Sequence, residues 1–314
     1  MLAGDMSDEI NLPGGLLPRE RHYQVQCKSR LEPFFFIATL SLTVYFVWWL
    51  TWRVGTRLVS PPGIEDIFAV VALLAIGRTW WVNRIVVSAL MEYCDAVALL
   101  ECGRIAEAES KLEALCRRVS RRSPYHALFV LYRGLAFLRA GKPDRALTLF
   151  AAVLDGGSFE KPRHSFHIYY PVLLTAIALA HAVKGDTETA ERWQGLAHDQ
   201  VTPARAGLLL PLDLYLGIRA GRYEIVVKDA EAIWADAAGC LPGSQIQALR
   251  VLCAFGLSCA NRNGTYDDRI RCFLDGARPC RPGQLDYLAL KWPELRAFLE
   301  ANDLSAKLES GRNS

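Results

Sequence analysis

The chain has 314 residues, 52% of them hydrophobic, and a formal net charge of +3. That length leaves room for about two domains at roughly 100 to 200 residues each, and the apolar fraction calls for a membrane segment, while the small net charge excludes a strongly basic nucleic-acid binder. Nine scattered cysteines without a CxxC pair exclude a disulfide scaffold, and the spacings of Cys94 with Cys102 or Cys272 with Cys280 suit no common zinc template, so reduced thiols and no metal are expected.

Residues 1–32 read as a flexible N-terminal segment. From Phe34 to Trp52 runs FFFIATLSLTVYFVWWLTW, without a charge. As a helix rising 1.5 Å per residue it measures roughly 28 Å, close to the hydrocarbon thickness of a bilayer. Trp48, Trp49 and Trp52 gather at its far end, where indoles favour the headgroup region. A cleaved signal peptide fits poorly, because the apolar run is too long and no small-residue cleavage site follows. After the turn-forming RVGTRLVSPPG comes a second apolar run, 64–82, with Glu65 and Asp66 at one edge and Arg78, Trp80 and Trp81 near the other. Arg78 can extend its side chain to the interface there. The two runs predict a transmembrane helical hairpin over 33–90, with spans 34–52 and 64–82. An interfacial or buried helix is the competing reading of the second run, because Arg78, Asn83 and Arg84 are close by. Basic residues Arg19, Arg21, Lys28 and Arg30 precede the hairpin and Arg84, Arg104 and Lys111 follow it, against Arg53 and Arg57 in the loop. This bias places both termini in the cytoplasm.

Beyond the hairpin the chain repeats a local pattern. YRGLAFLRAGKPDRALTLF carries Gly134, Gly141, Ala146 and Phe150 at offsets that recur as Ala96, Gly103, Ala108 and Leu112, and again as Ala178, Gly185, Ala190 and Gln194. Weaker copies surround Gly221 and Gly264. The turn glycines at 103, 141, 185, 221 and 264 are 36 to 44 residues apart. Small side chains let paired helices approach closely, and a glycine can adopt the left-handed conformation that ends a helix.

This pattern resembles the tetratricopeptide repeat, a helix-turn-helix unit of about 34 residues. The likeness spans roughly 93–276 and rests on the small residue of the first helix, the turn glycine, the alanine of the second helix and a large apolar residue one turn later. Tyr223 and Tyr266 fall where the family often has a tyrosine after the turn. Departures are the longer periods, insertions such as 155–167, and Arg269 where an alanine is expected. The resemblance implies an all-α fold, an α-solenoid of helix-turn-helix repeats over 91–300 preceded by two transmembrane helices. LDYLALKWPELRAFLEAN reads as a final capping helix, and 301–314 as a disordered tail.

No Gly-rich phosphate loop, GxSxG elbow, HExxH or kinase signature occurs, so no catalytic residue, no cofactor and no enzymatic activity are expected. His164 and His167 read as loop histidines, and His181 as a packed one. Arg117, Arg118, Arg121 and Arg122 cluster at a helix end close in sequence to the hairpin. They fit either attraction to anionic headgroups or a solvated helix end complementing the dipole. By the resemblance, the first helix of each unit lines a concave groove, where Leu131, Leu135, Arg139, Tyr215, Arg219, Ser258, Asn261 and Arg262 stand. Arg139, Arg219 and Arg262 share one equivalent slot, and Glu101 and Val183 break that row. The set fits a part-apolar, part-cationic groove for a protein or peptide segment with acidic residues, or surface arginines without a ligand. The expected function is a membrane-anchored scaffold or adaptor for a protein partner. The alternative is an accessory subunit of a membrane enzyme or transport complex, contacted through the hairpin.

Overall fold

The structure, a computed structural model, describes residues 64–119, 123–157, 159–160, 165–261 and 264–306. Among these residues it is all-helical, with no strand. The chain divides into two compact units between Leu90 and Met91. That division falls inside the first helix, α1, Ile64–Glu101. The apolar run 64–82 forms the first part of α1, whereas the run 34–52 lies outside the described residues, as do residues 1–33. Phe166–Lys184 is the one helical stretch among the described residues that is long and apolar enough to cross a membrane, and half of that window is buried inside the fold. It is a core helix of the larger unit.

In that unit the helices follow in pairs. The end of α1 pairs with α2, Ile105–Arg118, through Lys111 to Asp95 and Arg118 to Glu92. Next come α3, Pro124–Arg139, with α4, Pro143–Asp155; then α5, Tyr170–Lys184, with α6, Thr187–Asp199. The fourth pair is α7, Leu210–Arg219, and α8, Tyr223–Ala232. After a short α9, Trp234–Cys240, the fifth is α10, Gly243–Ala260, with α11, Asp267–Ala277. Each pair also packs against the next, α2 on α3, α4 on α5, α5 and α6 on α7, and α8 on α10.

The five turn glycines all hold a positive φ, between 71° and 91°, the left-handed region that a Cβ penalises. The backbone repeats with them. Gly103, Gly141, Gly185 and Gly221 each donate to the carbonyl three residues back, and the next residue donates to the carbonyl five back, as in Lys142 to Phe137 at 2.9 Å and Asp186 to His181 at 3.0 Å. These are the paired bonds of a Schellman-type helix end. In the third unit Asp186 then caps α6, accepting from the Thr189 amide. Hydrogen bonding from the Thr189 side chain first and its amide second, with smaller help from His181, holds the carboxyl below its usual range.

Close approach explains the small residues. A Cβ on Gly134 would lie 2.8 Å from Phe150 Cδ1 and 3.1 Å from its Cζ, and Phe150 is fully buried. Ala96, Ala108, Ala146, Ala178 and Ala190 are likewise solvent-free. The longer period between the fourth and fifth units has a local cause. A 3-10 turn, Pro203–Leu208, packs against α9, and Gly207 is so near Ala237 that a Cβ would stand 2.6 Å from its Cα. Arg269, where an alanine was expected, pairs with Glu231 and lies over the Tyr266 ring, an outward role that a small core residue could not fill.

The C-terminal stretch differs from the expected single capping helix. It forms a 3-10 turn, Asp286–Ala289, and a separate helix α12, Pro293–Ala301. Pro293 disfavours helical backbone at the preceding residue, and Trp292 is extended with φ −141° and ψ 84°.

Candidate functional site

The end of α1 and helices α3, α5, α7 and α10 are the first helices of the five pairs, and one short segment runs past all of them. Gln284 lies at the first turn, where a Cβ on Gly103 would be 3.4 Å from its Oε1. The 3-10 turn Asp286–Ala289 packs on α3 and α5, Leu290 reaches Gly141, and Lys291 reaches Gly185. On α7 the Tyr215 hydroxyl donates to the Leu288 carbonyl at 2.9 Å, and Arg219 Nη2 donates to the Lys291 carbonyl at 3.1 Å. Trp292 then enters an aromatic box, edge-on to Tyr215 at 5.0 Å and to Phe255 of α10 at 5.3 Å. The Arg219 guanidinium stands 5.4 Å from the indole centroid, within cation–π range. Phe255 meets Phe298 at 5.4 Å. Leu285, Leu288, Trp292, Leu295 and Leu299 are buried by this arrangement.

The expected groove arginines do two jobs. Arg139 Nη1 donates to the Leu100 carbonyl at 3.0 Å, and Arg219 Nη1 to the Ala182 carbonyl at 2.9 Å. Leu100 and Ala182 occupy the same place, three residues before their turn glycines. Each arginine therefore caps a helix C-terminus of the preceding pair, where free carbonyls and the negative dipole end favour a cation. Glu101, which interrupts the arginine row in sequence, is the ion partner of Arg139 at 3.1 Å, with side chains only 7% and 11% exposed. Its second oxygen accepts from the Ser244 amide at the start of α10 at 3.1 Å, tying the first pair to the fifth across 143 residues. Burial alone would lower the Arg139 guanidinium, but the Glu101 charge and hydrogen bond, with Tyr287 and Tyr132, raise it overall. Burial pushes the Tyr215 phenol up to about 12 against the opposing influence of Arg219, so it is a hydrogen-bond donor at neutral pH.

The other sequence candidates spread out. Leu131 is fully buried and Leu135 half-buried. Asn261 organises its own turn, donating to Asp267 at 2.6 Å and accepting from the Tyr266 amide at 3.2 Å. Ser258 donates to the Phe255 carbonyl of its own helix at 2.7 Å. Arg262 lies outside the described residues. In the basic cluster, Arg117 pairs with Glu113 at 2.6 Å and Arg118 with Glu92 at 3.0 Å, and Arg121 and Arg122 lie outside the described residues. His167 bonds the Phe159 carbonyl, and His181 faces Asp186; His164 lies outside. No group of three His, Cys, Asp or Glu side chains that could hold a metal occurs among the described residues.

Trp292, the carbonyls of 288 and 291 and the Phe255 wall of the indole box were not singled out from the sequence. Backbone acceptors leave no residue-type signal, and Phe255 reads as ordinary core.

Fold and site together define, among the described residues, an all-helical protein built of successive helix-turn-helix pairs whose first helices share one face, along which the chain's own residues 284–298 run. No family model, no curated protein and no solved structure matches the chain.

Proposed function

We propose that the chain is a non-enzymatic, membrane-anchored scaffold. In this reading its helix pairs form an α-solenoid of the tetratricopeptide type, with a transmembrane hairpin at 33–90 and both termini in the cytoplasm. A partner protein segment is held along the concave face formed by the first helices. The observation that carries it is that donors and aromatic walls from α7 and α10, Tyr215, Arg219 and Phe255, converge on one short stretch of polypeptide that also packs on α3 and α5. Arg219 has carbonyl and ring partners but no carboxylate partner among the described residues, which leaves charge for an acidic residue of the partner. The anchor reading is supported by the apolar composition of 64–82 and by exposed Trp80, over which Arg84 lies at 5.5 Å, a combination suited to a headgroup interface. Tethering raises the effective concentration for partners on the same membrane, so a modest intrinsic affinity suffices.

Crosslinking in native membranes, with the full chain and with an Arg219→Glu chain, tests the reading. Partners captured through the first helices and lost on Arg219→Glu are expected. Unchanged capture removes the concave-face part.

One observation favours a second reading: the same face already holds residues 284–298. An accessory subunit would use the hairpin as its contact instead, and crosslinks confined to residues 33–90 would select it.

A further inference from the structure

Arg250 of α10 is a half-buried cation without a carboxylate partner among the described residues. Arg133, Arg139 and Arg269 each have one, in Glu109, Glu101 and Glu231. Arg250 spends one N–H, from Nη1, on the Gly276 carbonyl in the last turn of α11, where carbonyls are free and a cation is favoured. Its Nε and Nη2 donate to nothing among the described residues. Burial lowers the guanidinium below its usual range, opposed only by Cys272; at Arg139 the Glu101 charge and hydrogen bond outweigh that effect.

A glycine makes the seat for this arginine. Gly276 lies inside α11, where glycine weakens a helix, and a Cβ there would stand 2.6 Å from Arg250 Nη1 and 2.9 Å from its Cζ. Only a glycine lets the guanidinium lie this close. Beside it is a cavity of about 590 Å³, walled by Trp234 of α9, Arg250, and Cys272, Phe273 and Gly276 of α11. Arg250 Cζ stands 5.8 Å from the Trp234 ring centroid, and the Trp234 and Phe273 rings are 6.1 Å apart. Of the other charged lining groups, Glu231 is engaged by Arg269, and Asp275 and Arg278 are exposed, so neither carboxylate cancels the Arg250 charge. Aromatic walls around one fixed polar group, at this volume, match a small-molecule site.

We propose that this cavity binds a small aromatic carboxylate. The ring lies against Trp234 and Phe273, where offset or edge-on contacts at about 4.5–7 Å are favourable. The carboxylate accepts from Arg250 Nε and Nη2, paired donors whose spacing matches its two oxygens, and supplies the ionic partner that a half-buried cation otherwise lacks. The Glu231 and Asp275 carboxylates in the same lining repel a phosphate dianion more strongly than a singly charged acid. None of these lining residues takes part in the contacts that hold 284–298, so the inference does not depend on the scaffold reading.

Isothermal titration of the full chain with naphthoate and with uncharged naphthamide tests it. Saturable binding of naphthoate is expected, about tenfold tighter than the amide, because a charge-assisted pair outweighs a neutral hydrogen bond. Arg250→Gln should remove that preference, and Trp234→Leu should weaken both compounds. Position is read from the thiols: alkylation of exposed Cys272 by iodoacetamide, followed by peptide mass spectrometry, should slow at saturating naphthoate, while exposed Cys259 keeps its rate. If circular dichroism shows a variant to be unfolded, the acid-against-amide comparison and Cys272 protection in the unaltered chain decide. No saturable binding, equal affinity for acid and amide, or an unprotected Cys272 at saturation overturns the proposal. So does a preference for naphthoate that persists in a folded Arg250→Gln chain.

Discussion

Replacing Gly134 by alanine adds one methyl where α3 crosses α4. The ideal Cβ falls 2.8 Å from Phe150 Cδ1 and 3.1 Å from Cζ, closer than real Cβ atoms approach a ring, and Phe150 has no exposed surface toward which to move. Overpacking of this kind costs about 1–3 kcal/mol. Against it stands the helix-propensity gain of glycine to alanine, about 0.8–1 kcal/mol. The clash wins, for a net loss of about 1–2 kcal/mol. Gly195 supplies the control: it lies inside α6, and nothing stands within 4 Å of its Cβ position, so Gly195→Ala stabilises by about 0.5–1 kcal/mol. Urea unfolding followed by far-ultraviolet circular dichroism separates the two. With a slope of about 1–3 kcal/mol/M, the Gly134→Ala midpoint falls by roughly half a molar or more and the Gly195→Ala midpoint rises. Adding Phe150→Leu to Gly134→Ala frees space and recovers part of the loss, a coupling expected only of residues in contact. A Gly134→Ala midpoint at or above that of Gly195→Ala refutes the close-crossing argument.

Three further outcomes follow from the same contacts. Glu101→Gln removes the charge opposite buried Arg139 and turns an acceptor for the Ser244 amide into a competing donor; breaking such a pair costs about 3–5 kcal/mol, and Glu101→Gln with Arg139→Met recovers part of it in a double-mutant cycle of thermal unfolding. Tyr215→Phe strands the Leu288 carbonyl, costing about 1–3 kcal/mol, read as faster amide exchange confined to 285–299. Alkaline pH destabilises the fold, because burial raises Cys253 to about 12, Cys116 and Cys280 to about 11, each from 9.0, and Tyr215 to about 12 from 10.0. These groups bind protons more tightly when folded, so their contribution is intact below pH 9 and declines as pH rises through 11 and 12; a melting temperature constant from pH 9 to 12 contradicts their burial.

Local chemistry carried the pair architecture into the sequence. A left-handed glycine followed by the next helix is a matter of a few adjacent residues, so Gly103, Gly141, Gly185, Gly221 and Gly264 marked every turn, and the bonds that close these turns span five residues or fewer. Gly134 and Ala146 were legible for the same reason, since a close crossing admits only small side chains at fixed helical offsets. Elements inserted between the pairs were less so: α9 and the turn at 203–208 pack against each other, with Gly207 close to Ala237, although 26 or more residues separate them in the chain.

What occupies the first-helix face was decided by tertiary structure alone. Arg139 and Glu101 are 38 residues apart, Arg219 and Lys291 are 72, and Glu101 and Ser244 are 143. Nothing in the neighbourhood of Glu101 marks it as the partner of an arginine one unit later, and it looked instead like a break in a cationic row. The sequence by itself determined where helices start, stop and cross, because those depend on backbone conformation and side-chain size within a turn or two. The tertiary structure decided which charges are spent inside the fold and which surface is filled, because desolvation and ion pairing are settled by neighbours that the chain brings together only after it has folded.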